Sequence, residues 1–332
     1  MTLSHTELRR ELQQAGIATS AINAVWPQWW SEEAAGSVSA TAELTYTVAR
    51  RLGLSPRALF DGSAQFLWRD ETKFKKLDAK SSGELAALAS FGIAVGRAAL
   101  AGTDPVEVDL ERDAVSLRQI FLDQGHLVDA RQLSDFCWAV GIPILQLRIF
   151  PLGKKRMHAM TVQVNGRYAI LLAHEHKYSA TVAYLIAHEL GHILLNHLVG
   201  SDALLEGEDP LTANGRDAEE EAADRFALEL LTGSADPQVS ADKKEYTAST
   251  LANTVISSGP PLGIDPGVLA LCLGHSTGQW AQSMGALKIL QPAEVDVGKQ
   301  INRLAVNQIG WDSLSYANQE YLEIVMGLNR ES

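Results

Sequence analysis

The feature that most limits what this chain can become is the apolar run from Tyr184 to Leu195, which carries His188, Glu189 and His192. Its periodicity and length predict a helix, continuing to about Leu198. Each helical residue advances about 100°, so His188 and His192 share one face, about 40° apart. Two neutral imidazoles so placed can grip one divalent ion, typically zinc, at roughly 2.0–2.1 Å. Glu189 projects about 60° from His192, outside the ligand cage but within reach of water at the metal. This H-E-x-x-H spacing implies metal-assisted hydrolysis. Gly191 inside the helix costs roughly 1 kcal/mol relative to Ala and calls for close packing there.

The remaining bounds are permissive. A chain of 332 residues, 46% hydrophobic and 20% charged, can bury a substantial core. A net charge of −12 argues against general affinity for nucleic acid or anionic membrane. Cys137 and Cys272 lack CxxC spacing, so neither a disulfide framework nor a thiolate metal site is expected, and a reducing cytoplasm is the simplest setting. Glu7, Arg9, Arg10 and Glu11 interrupt the first segment, unlike a secretory signal. The longest apolar run, Leu85 to Leu100, contains Ser90, Gly92, Gly96 and Arg97 and reads as too short and broken to span a bilayer. The expected protein is soluble and cytoplasmic, with no membrane partner.

In chain order, residues 3–60 read as compact helices, with Trp26, Trp29 and Trp30 around Pro27 more in keeping with core than with a binding surface. Charged residues between Trp68 and Lys76 read as a solvated connector. Ser82 to Ala101 reads as a buried helix whose close contacts Gly92 and Gly96 allow. Helices at about 113–122 and 129–140 follow, with His126 in the turn between them. Residues 142–150 and 158–164 look like strands; Asn165-Gly166 is a strong hairpin signal, and 168–173 the returning strand. Residues 201–217 are acidic and turn-rich, as in an exposed loop. Helical periodicity returns over 218–231, about 247–256 and 268–290, and the tail from 291 is mostly helical.

A catalytic zinc needs three protein ligands and an open position. The best supplier of the third is the helix containing Glu219-Glu220-Glu221-Ala222-Ala223-Asp224. Glu220 and Asp224 stand one turn apart on one face: one can ligate while the other accepts a hydrogen bond from a ligand histidine. Glu219 and Glu221 are turned about 100° to either side, towards solvent. His174, His176 and Tyr178 are candidate oxyanion donors, with a surface position the simpler reading. His197 lies about 180° from His188 on a continued helix and should not ligate. His158 and His275 have no partner spacing and read as structural.

Ala187-His188-Glu189-Leu190-Gly191-His192-Ile193-Leu194-Leu195-Asn196-His197, an acidic loop, and then Glu220 to Leu231 resemble the ImmA/IrrE family of bacterial metallopeptidases over about residues 142–232. The family's E-x-E-A-[ND]-x-F-A pattern falls on Glu220, Ala222, Ala223, Asp224, Phe226 and Ala227, departing from it at Ala222. The resemblance implies an α+β, predominantly helical fold: a zincin-like core of a small sheet, the metal helix and a Glu/Asp helix, with helical N- and C-terminal flanks. It implies Zn²⁺ held by His188, His192 and Glu220, Asp224 in support, Glu189 as general base, and a protein substrate such as a transcriptional repressor. Residues 48–59 also resemble the closing helices of repressor-type helix-turn-helix domains. Five arginines and five glutamates balance in residues 1–60, however, so a helical docking module is favoured over DNA binding. The expected organisation is a helix-turn-helix-like segment (1–70), a connector and helix (71–112), the peptidase domain (113–290) and a helical tail (291–332). The competing expectation is a regulator or toxin–antitoxin-type protein with a structural or inactive metal site.

Overall fold

The computed structural model describes residues 3–68, 73–75, 82–107, 113–125, 127–153, 158–198, 203–206, 218–240, 246–291 and 295–328. It begins with four helices, α1 (His5–Gln14), α2 (Thr19–Val25), α3 (Val38–Leu52) and α4 (Pro56–Phe60). Strand β1 (Lys73–Lys75) and helix α5 (Ser82–Ala101) follow, then α6 (Ala114–Gln124) and α7 (Ala130–Ala139). The central part holds β2 (Ile144–Gln146), β3 (Ala159–Val164), β4 (Arg167–Leu172), α8 (Ser179–Leu194), β5 (Ala203–Glu206) and α9 (Ala218–Thr232). Five helices close the chain: α10 (Ala248–Ser258), α11 (Pro266–Thr277), α12 (Trp280–Leu290), α13 (Val297–Gln308) and α14 (Tyr316–Met326). The fold is α+β and predominantly helical, as expected.

Helix boundaries follow local chemistry. Ser4 and Glu7 form a capping box on α1, Asp113, Asp129 and Asp265 cap α6, α7 and α11, and Gly53 closes α3 in the left-handed region. Asn165 and Gly166, with φ of 52° and 77°, make the tight turn between β3 and β4.

The five strands are ordered β1-β5-β3-β4-β2, antiparallel in the middle and parallel at both edges. Two expectations change here. Residues 73–75, read as connector, and 203–206, read as exposed loop, pair with each other as strands, and Ala203 and Leu204 are buried. Ala203 and Leu204 are held there by β3, which supplies the ladder partners that no local pattern announces. The rest of both stretches, and His126, lie outside the described residues.

Alternation along the hairpin divides the interior. Met160, Val162, Ala169 and Leu171 join a core with α5, the N-terminal helices and α14. Ala159, Ile170 and Leu172 join a second core with α7, α8, α9 and α11. Helix α5 lies directly on the first face: an added Cβ would come within 2.1 Å of Met160 Sδ at Gly92 and 2.3 Å of Val162 Cγ2 at Gly96. The thioether can swing away, whereas a β-branched strand residue cannot. Gly96→Ala is therefore expected to lower unfolding free energy by about 1–3 kcal/mol, and Gly92→Ala by less, read from urea midpoints.

By length and composition Gly83–Ala101 is long and apolar enough to cross a membrane, contrary to the reading of the shorter run, and most of it is buried inside the protein. Its apolarity is accounted for by the two layers it separates, the sheet and the α3/α14 helices. Cys137 and Cys272 are free and buried, each thiol pushed up to about 12 by burial.

Candidate metal centre

Helix α8 lies under the sheet with α9 packed along it. The close approach of these helices explains Gly191: a Cβ there would sit 3.1 Å from Phe226 Cδ1 and 3.2 Å from the Ala223 carbonyl oxygen. That contact brings the carboxylate face of α9 to the imidazole face of α8. Of the acidic triplet, Glu220 is buried and Glu221 exposed, as the helical spacing leads one to expect.

His188, His192 and Glu220 offer ligand atoms that all lie within 4.8 Å of one another. The Nε2 atoms are 3.0 Å apart, and Glu220 oxygens stand 3.4 Å from His188 Nε2 and 3.6 Å from His192 Nε2. Neighbouring ligands on a tetrahedral zinc are about 3.3–3.5 Å apart for bonds of about 2.0–2.2 Å, so the three fit one ion.

Each imidazole is held through its other nitrogen. His188 Nδ1 donates to Asp224 Oδ1 at 3.0 Å, and Tyr184 OH donates to the same oxygen at 2.6 Å. A proton on Nδ1 leaves the His188 Nε2 lone pair facing the site. His192 Nδ1 lies 2.7 Å from His197 Nδ1. When His192 donates this bond, two Nε2 lone pairs face each other beside a carboxylate, which a cation between them relieves. Burial points the same way. Glu189, Glu220 and Asp224 are at most 6% exposed, and carboxylates out of water need countercharge or donors. Glu189 has one: Thr161 Oγ1 on β3 donates to Oε2 at 2.6 Å.

Three of these partners escaped the sequence reading. Tyr184 was legible, one turn before His188 on the same face. Thr161 is a hydroxyl among inward-facing apolar strand positions. His197 requires a correction in geometry: α8 ends at Leu194 rather than about Leu198, because Asn196 (φ 59°) turns left-handed and the His197 N–H bonds the His192 carbonyl at 2.9 Å. The turn carries His197 back to His192 instead of away from it. Among the other histidines, His174 and His275 are exposed and His158 and His176 half-buried, and the rings of His158, His174 and His176 meet one another.

Residues 163–258 match the Peptidase U49 family, a peptidase family of ImmA/IrrE type. No curated protein matches the chain. The matched segment covers under a third of the sequence but contains β4, α8, α9 and α10, and so all three candidate ligands; it supports a peptide hydrolase with a cluster able to hold a metal ion.

Proposed function

We propose that the protein is a zinc-dependent endopeptidase in which His188, His192 and Glu220 hold the metal and Glu189 moves the proton. The single observation that carries this reading is the convergence of two imidazoles from α8 and one buried carboxylate from α9, on the segment that matches a peptidase family. A zinc ion held there supplies a Lewis acid and activates water. Glu189 accepts the proton of the attacking water and returns it to the leaving amine, with the Thr161 hydroxyl orienting its carboxylate. Asp224, itself held by Tyr184, keeps His188 in the tautomer that presents Nε2. The substrate in this proposal is a cytoplasmic protein partner, a transcriptional repressor by family resemblance, with the N-terminal helices as docking module.

Elemental analysis of the purified chain tests the ligand set. Glu220→Ala is expected to lose one zinc equivalent relative to the parent, its affinity falling by more than the roughly 10–100-fold that follows loss of an outer-sphere partner. Glu221→Ala, altered at an exposed position, keeps the parent content. The reverse result would reject Glu220 as ligand.

One observation favours a second reading, in which the metal is structural and the protein is a regulator binding a partner or DNA. His188, Glu189 and His192 are 0% exposed. Chelator-sensitive peptide cleavage by the parent decides for the peptidase; gel-shift activity without cleavage decides for the regulator.

A further inference from the structure

A second group of imidazoles lies outside the site described above. His158 immediately precedes β3, and His174 and His176 lie between β4 and α8. Their ring centroids are 5.1 Å (His158–His174), 5.5 Å (His158–His176) and 5.1 Å (His174–His176) apart. An imidazole ligand places its ring centre about 3.2 Å from a zinc-sized ion, so three on one tetrahedral ion have centres about 5.2 Å apart. The observed triangle has that size.

The scaffold under the triangle is built from both sides. The backbone N–H groups of Ala173 and His174 donate to the His158 carbonyl at 2.9 and 3.3 Å. Gln146 Nε2 donates to the His174 carbonyl at 3.3 Å, and Arg148 pairs with Glu175 at 3.0 Å and Asp296 at 3.2 Å. His176 Nε2 is buried and makes no hydrogen bond. Among the described residues only His188, His192 and Glu220 have ligand atoms already within 4.8 Å of one another, so the three rings must turn about Cβ–Cγ to converge. That axis runs close to each ring centre, and the torsion is soft, so the triangle survives the turn.

We propose that His158, His174 and His176 form a second metal site for a first-row transition dication that favours imidazole, with Zn²⁺ as the probe. The set is chemically distinct from the first: all-nitrogen donors suit Zn²⁺, Ni²⁺ or Cu²⁺, and three of them leave a coordination position open. It also draws on different positions: His158 precedes β3 and His174 and His176 precede α8, whereas His188 and His192 lie within α8 and Glu220 on α9.

Zinc stoichiometry of the full chain, stripped and then equilibrated at buffered free Zn²⁺, tests both sites separately. The expected contents are two equivalents for the parent, one for Glu220→Ala, one for His174→Ala/His176→Ala, and none for all three substitutions together. His174 is exposed, so His174→Ala alone is expected to fold as the parent does by far-UV circular dichroism while binding the second ion at least about 10-fold more weakly. A folded His174→Ala/His176→Ala protein that keeps the parent stoichiometry overturns the second site. Loss of metal only in that variant, with Glu220→Ala unchanged, overturns the first site and leaves the second standing.

Discussion

Glu189→Gln protein is expected to bind as much zinc as the parent and to cleave any peptide the parent cleaves about 10²–10⁴-fold more slowly in kcat. Glutamine occupies nearly the same volume and can still accept the hydrogen bond from Thr161, so the fully buried site should keep its packing. What it cannot do is take a proton from water at neutral pH. Because the change removes proton transfer rather than binding, KM should move little while kcat carries the loss. Parent-like turnover in a zinc-loaded Glu189→Gln protein would remove Glu189 from the proposed chemistry. Loss of zinc along with activity would instead give the carboxylate a place in holding the metal.

The largest expected effect on stability lies far from the site. Arg51 on α3 is 1% exposed and forms a buried ion pair with Glu320 on α14, which is 2% exposed. The guanidinium also donates to the Val25 carbonyl at 3.0 Å and the Ala317 carbonyl at 3.2 Å, while Glu320 accepts from the Gln28 N–H at 2.7 Å. The pair therefore ties the first helices to the last. Glu320→Ala leaves a guanidinium buried without its carboxylate and is expected to cost about 3–5 kcal/mol of unfolding free energy, measured by urea denaturation. Replacing both partners with apolar residues of similar size, Arg51→Met with Glu320→Leu, should recover part of that loss, because it removes the uncompensated charge while the Val25 and Ala317 carbonyls and the Gln28 N–H still lose these partners. If Glu320→Ala unfolds at the parent midpoint, the pair does not join these segments.

Arg51 also shows where charge counting along a sequence misleads. It entered the balance of residues 1–60 as one of five arginines, yet its charge is cancelled inside the protein by a residue more than 260 positions away. The charge the N-terminal segment offers a partner is accordingly not the sum read from its sequence.

Much of the candidate site was legible because its spacing is local. His188, Glu189 and His192 owe their relative positions to one helix, and Glu220 and Asp224 to another, so helical periodicity alone ranks them. The Asn165-Gly166 turn and the strands either side of it were legible for the same reason. What the sequence by itself determined, then, is the set of residues that single helices and a single hairpin place together. Only the tertiary structure decided how the two helices meet, with α9 turning its Glu220 face to the imidazoles of α8 at Gly191. Tertiary structure alone also made strands of 73–75 and 203–206, bent His197 back to His192, aimed Thr161 at Glu189 and gathered His158 with His174 and His176. Each of these depends on a partner distant in the chain or on one left-handed residue that ends a helix. Local periodicity carries no information about such partners, because their energy comes from burial and pairing that exist only once the layers have packed.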